Sequence, residues 1–277
     1  MMMKKTRADF IKQAKADNAA IGKANARIEK QIVRLYKDWR NQIKALVRDP
    51  DIFTDSQKFD LAVATETITG LSKQLDDMGR DDLVAAYIEE FPVLEKQAKE
   101  YFKQFGKLPK LGGTSEEAFD AYIDFSSNRL VQTLETRLVA PIQEGLFHAT
   151  FGTMPRDTVV DTVLSIADNF SERQAVTLVD DTFRQYQRGV TNMTGEEAGL
   201  EVWWYQGPDD AITSDQCEFI LNDAPHEVPG MYFRDEISID MHEDLRDDPF
   251  IAGGHFNCRH KFYPITLEFA ESMGFKA

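Results

Sequence analysis

Glu201-Val-Trp-Trp-Tyr-Gln206, bounded by Gly199 and by Gly207-Pro208, is where the reading of this chain turns. An aromatic and β-branched run closed by turn formers at both ends predicts a β-strand. Upstream of it every strong pattern has helical spacing; downstream the stretches are short and rich in Asp, Gly and Pro. The expected fold is mainly α with a small α+β carboxy-terminal module: long amphipathic helices followed by a compact mixed domain. Three regions follow: residues 1–112 as a helical arm and hairpin, 113–198 as a helical middle leading into the module, and 199–277 as the module itself.

Working outward toward the start, Ile21, Ile28, Ile32, Leu35, Trp39, Ile43 and Leu46 are spaced by three, four or seven residues, an almost heptad stripe that Asp49-Pro50 ends. Such a stripe needs a cover: a hairpin partner, another subunit or the rest of the fold. Phe59, Val63, Leu71, Leu75 and Met78 continue the helical spacing to Gly79. Leu83, Tyr87, Phe91, Leu94, Tyr101, Phe102 and Phe105 mark a third helix with a kink expected at Pro92. Residues 107–113, Lys-Leu-Pro-Lys-Leu-Gly-Gly, have the composition of a linker. A helix is expected after a Ser115 cap, Pro141 can open or kink another, and Thr153-Met-Pro-Arg-Asp157 resembles a further start. Ser171-Glu-Arg-Gln174 has capping-box spacing and leads into Ala175, Leu178, Val179, Phe183, Tyr186 and Val190.

The net charge of −15 over 277 residues hides a gradient. Residues 1–50 carry 13 Lys/Arg against 5 Asp/Glu, a net of +8, whereas residues 201–277 carry 5 against 16, a net of −11. This suits a basic arm that meets an acidic partner or DNA, and equally a helix whose solvated face is basic. No run approaches the ~18–20 apolar residues of a membrane span, so no membrane partner is expected. The start lacks the apolar stretch of a secretory signal, and two cysteines are too few for a disulfide framework. Synthesis and folding in a reducing cytoplasm are expected.

Both cysteines and four of the five histidines lie after residue 216. The densest group is His255-Phe-Asn-Cys258-Arg-His260, with Cys217 upstream. Thiolate and imidazole are the ligands a structural zinc takes, and a tetrahedral site needs four. Cys217, Cys258, His260 and one of His255, His226 or His242 could supply them, with His255 the first choice, although the spacing is not that of a standard finger. Two other readings stand beside this one. The cysteines could be small buried hydrophobes, or Cys258 could be a nucleophile paired with a histidine. Asp209, Asp210, Asp215, Glu218 and Asp223 form an acidic stretch that reads as a solvated loop. No phosphate-binding loop, metalloprotease helix or nucleophile elbow is present in the sequence. No catalytic or cofactor-binding residue is therefore expected, beyond a structural zinc.

From about residue 150 onward the order of features resembles the phage head morphogenesis family, the minor capsid proteins similar to the Mu F protein. The helical stretch from Thr158 to Phe170 precedes Ser171-Glu-Arg-Gln-Ala-Val-Thr-Leu-Val179, which leads into a second helix. Gly199-Leu-Glu-Val-Trp-Trp-Tyr205 looks like the family's strand, and Asp215-Gln-Cys217 like its Asp-x-Cys element. Gly253-Gly-His-Phe-Asn-Cys-Arg-His260-Lys-Phe-Tyr-Pro264 is similar to the closing segment, in which Asn-Cys-Arg-Cys or Asn-Cys-Arg-His precedes a strand and a Pro. The family often has Cys where His260 stands. The resemblance implies a structural minor head protein of a tailed bacteriophage. It would be made in the bacterial host cytoplasm and incorporated into the virion in several copies, associated with the portal and other capsid proteins. Two rivals remain, a Cys/His or metal-dependent hydrolase delivered with the virion and a helical adaptor unrelated to phage.

Overall fold

The computed structural model describes residues 7–49, 61–103, 113–151, 155–208, 213–238, 241, 248–253 and 258–276. In chain order these form α1 (Arg7–Leu46), α2 (Leu61–Asp77), α3 (Arg80–Phe102), α4 (Gly113–Leu134), α5 (Ala140–Phe151), α6 (Arg156–Asp168) and α7 (Arg173–Glu197). The texture then changes as the sequence predicts, to β1 (Val202–Gln206), α8 (Asp215–Asn222), β2 (Met231–Phe233), α9 (Pro249–Ala252), β3 (Lys261–Ile265) and α10 (Leu267–Ser272). The fold is mainly helical with a small three-stranded antiparallel sheet near its carboxy-terminal end.

The chain divides into two compact units that are discontinuous in sequence: Met1–Asn25 with Glu89–Asp124 and Val179–Ala277, and Ala26–Ile88 with Phe125–Leu178. The linear segmentation at 112 and 198 thus differs from the spatial one, because α1, α3, α4 and α7 each contribute residues to both units. The linker stretch, residues 107–112, lies outside the described residues.

The all-helical unit is built on the second half of the stripe. Ile28, Ile32, Leu35, Trp39 and Ile43 are fully covered, so the stripe finds its partner within the fold. Trp39 anchors it: the indole Nε1 donates to the Leu138 carbonyl at 2.9 Å. The next residue, Arg40, donates to the Ala167 and Phe170 carbonyls at 3.0 and 2.9 Å, capping the end of α6 where the last carbonyls lack helical partners. Pro141 leaves its mark between α4 and α5. Proline offers no N–H to the carbonyl four residues back and clashes with it. The helix widens there into a π-turn over Glu135–Val139, Ala140 N–H bonding the Glu135 carbonyl. Pro92, in contrast, lies within the continuous helix α3. The helix expected after Ser115 begins earlier, at Gly113, and Ser115 instead donates its hydroxyl to Glu197 at 2.6 Å.

In the other unit the sheet order is β2-β1-β3. β1 pairs Trp204 with Met231 on one side and with Tyr263 on the other. Pro264, which cannot donate to a ladder, sits in β3 at the sheet edge. Alternation sorts the strand residues onto two faces, and both are covered. Val202, Trp204, Tyr263 and Ile265 pack with Phe10, Ala14, Tyr101 and Phe102. Trp203, Tyr205 and Phe262 pack with Cys217, Ile220, Tyr232, Phe250 and Cys258. A strand buried on both faces has no polar side to show, which is why residues 202–205 are apolar or aromatic throughout. Trp203, Trp204 and Phe262 are buried in this core; Phe256 lies outside the described residues.

Candidate metal centre

The second of these faces carries the cysteines. Ser214 caps α8, its hydroxyl accepting the Cys217 N–H at 3.2 Å, and this fixes Cys217 in the first helical turn. With Ile220 three residues on, Cys217 forms the buried side of α8, while Asp215 and Glu218 face solvent. Cys258 and His260 lie immediately before β3, and Tyr205 near the end of β1 lies across from them. The two sulfurs are 3.2 Å apart. The Tyr205 hydroxyl stands 3.1 Å from Cys217 Sγ and 3.3 Å from Cys258 Sγ. His260 Nδ1 is 3.7 Å from Cys258 Sγ, and the His260 ring stacks on Tyr205 at 5.4 Å between centroids.

What holds this group is Arg188 of α7, itself buried. Its guanidinium donates to the Cys258 carbonyl, to the His260 carbonyl at 3.0 Å and to the Ile251 carbonyl at 3.0 Å. One rigid fork thereby ties the Ile251 carbonyl of α9 to the residues that lead into β3. Two glycines make room. A Cβ at Gly253 would lie 2.7 Å from Cys258 Sγ, and its φ of +75° suits glycine alone. A Cβ at Gly207 would meet the His260 ring at 2.2 Å.

The electrostatics make the two thiols a pair sharing one charge. For Cys217, the hydrogen bond with Cys258, burial and the neighbouring thiol's charge push the pKa up. For Cys258, burial pushes up, but hydrogen bonds from Cys217 and His260 and the charge of Arg188 outweigh it and lower the thiol below its ordinary range. Burial, followed by the neighbouring cysteines, raises Tyr205 well above the usual phenol range, so it stays a neutral donor. A low thiol alone does not make a nucleophile. Cys258 is fully buried, and attack on a substrate needs an accessible sulfur. The arrangement suits cross-linking of the module, by packing or through an ion.

Of the predicted ligands the fold brings together Cys217, Cys258 and His260, whose ligand atoms all lie within 4.8 Å of one another. His226 is elsewhere, bonded to the Lys276 carbonyl and to Glu236. His255 and His242 lie outside the described residues, as do Asp209 and Asp210 of the acidic stretch; Asp223 accepts from the Tyr232 hydroxyl at 3.3 Å. Two residues of the site, Tyr205 and Arg188, were not among the predicted ligands. Tyr205 was findable as the strand neighbour sharing a face with Trp203, but Arg188 reads as one more charge on a helix. No family model, curated protein or solved structure matches the chain. Among the described residues no helix is long and apolar enough to cross a membrane.

Proposed function

We propose that this chain is a structural minor head protein of a tailed bacteriophage, incorporated during head assembly in several copies beside the portal. One observation carries the reading. The segments that resemble the head morphogenesis family, around Trp203–Trp204, Asp215–Cys217 and Cys258–Pro264, fold into a single unit in which β1, α8 and β3 surround the two cysteines. The residues of the closing motif are used inward: Cys258 and His260 are buried, and Tyr263 packs in the opposite core. The basic first fifty residues would then face an acidic portal surface or packaged DNA.

Quantitative mass spectrometry of gradient-purified particles from the producing lysate tests the reading. Peptides of this chain at a fixed ratio to the portal protein are the expected result. Their absence from particles while the protein is free in the lysate would overturn it.

A further inference from the structure

Three donor atoms of the kinds that zinc takes converge in a buried core, and their spacing is close to that of a coordination shell. A tetrahedral ion with Zn–S of ~2.3 Å and Zn–N of ~2.0–2.1 Å sets neighbouring ligand atoms roughly 3.5–3.8 Å apart. Cys258 Sγ and His260 Nδ1 already stand at 3.7 Å, and the two sulfurs at 3.2 Å need to part by only about half an ångström. Tyr205 Oη lies 3.1 and 3.3 Å from the two sulfurs. We propose that Cys217, Cys258 and His260 bind a divalent ion of the zinc class through two thiolates and Nδ1, with the Tyr205 phenol oxygen on the fourth side. In the bound form both cysteines are thiolates, and the ion's two positive charges balance their two negative ones.

A second observation points the same way. His260 Nε2 is buried and has no hydrogen-bond partner. Coordination through Nδ1 leaves the proton on Nε2, and a metal-bound histidine gives that proton to a carboxylate, a carbonyl or a water. Beside His260 lies a cavity of about 10 Å³, room for a single water, lined also by Gln187 and Asp17. Gln187 Nε2 is likewise buried without an acceptor. One water in this cavity would accept from His260 and from Gln187 and donate to the Asp17 carboxylate. Ion and water together account for both orphaned nitrogens. The inference does not depend on the particle assignment, because the same site would serve an adaptor equally well.

The test uses the full chain, purified under reducing conditions, with folding checked by circular dichroism. Elemental analysis is expected to find one zinc per chain. Cobalt(II) added to the metal-free protein is expected to give a near-ultraviolet thiolate charge-transfer band with the visible bands of a four-coordinate ion. Cys217→Ser/Cys258→Ser is expected to abolish that band. Tyr205→Phe, which keeps the packing, is expected to retain the charge-transfer band and shift the visible ones, and it reports on the site even where the serine variant does not fold. A folded wild-type chain that gives no thiolate band overturns the proposal, as does an unchanged band in the serine variant. Quantitative recovery of a Cys217–Cys258 disulfide from the reduced preparation overturns it as well.

Discussion

Asp17 of α1 and Lys261 of β3 form an ion pair of 2.5 Å whose side chains are only 2% and 7% exposed. The pair is fully dressed. Tyr263 donates its hydroxyl to Asp17 at 2.9 Å and Gln13 donates to it at 2.8 Å, while Lys261 Nζ lies 3.3 Å from Thr191 Oγ1 and 4.4 Å from the centroid of the Tyr263 ring. Removing one partner strands the other charge. Asp17→Asn is expected to cost about 3–5 kcal/mol, and Asp17→Leu combined with Lys261→Met far less. Urea unfolding of these variants and of Asp17→Leu and Lys261→Met alone checks this; a double variant as unstable as the sum of those two singles would show that the charges do not act as a pair.

Arg188 holds three carbonyls at once. Lysine keeps the charge but not the fork, so Arg188→Lys should lose two charge-assisted bonds, about 3 kcal/mol or more. Thermal melts, with limited proteolysis to locate the loosened segment, read the effect. A variant that melts with wild type would mean that the loop is held by other contacts.

Gly253 and Gly199 both have positive φ, but only Gly253 is crowded, a Cβ at Gly199 meeting nothing within 4 Å. Gly199→Ala should therefore cost only the left-handed backbone, ~1–2 kcal/mol, and Gly253→Ala that amount plus the displacement of Cys258. Equal losses at the two sites would argue that the loop before β3 gives way freely.

Tyr36 governs part of the alkaline behaviour. Burial, partly opposed by Arg137, pushes its phenol up to about 12 from the usual 10. Its hydroxyl is buried without a partner. The unfolded chain ionises first, so the stability is complete below pH 10 and is lost as the pH climbs toward 12, by about 3 kcal/mol. Tyr36→Phe removes this loss at little cost near neutrality. Denaturant midpoints at pH 7 and above pH 10 should converge for wild type and variant at the first and separate at the second; parallel curves would exclude Tyr36 as a source.

Cys258→Ser places a polar group in a fully buried site and is expected to lower stability by about 1–3 kcal/mol and to reduce incorporation into particles. A variant that melts and assembles like wild type would sink the cross-linking role.

Apolar periodicity carried most of the fold. Ile28 through Ile43 are the core their spacing predicts, and Trp203, Trp204 and Phe262 fill the sheet's two faces. In the site, Cys217, Cys258 and His260 were recognisable because their side chains advertise a chemistry. Asp17, Arg188 and Lys261 were not. A buried charge is intelligible only beside its partner, and these partners come from distant segments. The nearest clue was α7 itself: Gly189-Val-Thr-Asn-Met-Thr-Gly195 carries no charge, which marks a helix covered on more than one side.

The Asp17–Lys261 pair has a consequence for synthesis. Asp17 leaves the ribosome well before Lys261, whereas the helical unit is complete once residue 178 has emerged. That unit can settle while the other waits for its closing strand. During the interval the Asp17 carboxylate is kept by water and by its neighbour Gln13, which still donates to it once Lys261 has joined. Folding is thus gated by its slowest arrival, and a lesion in the opening turns of α1 would surface as a failure of the last strand to lock.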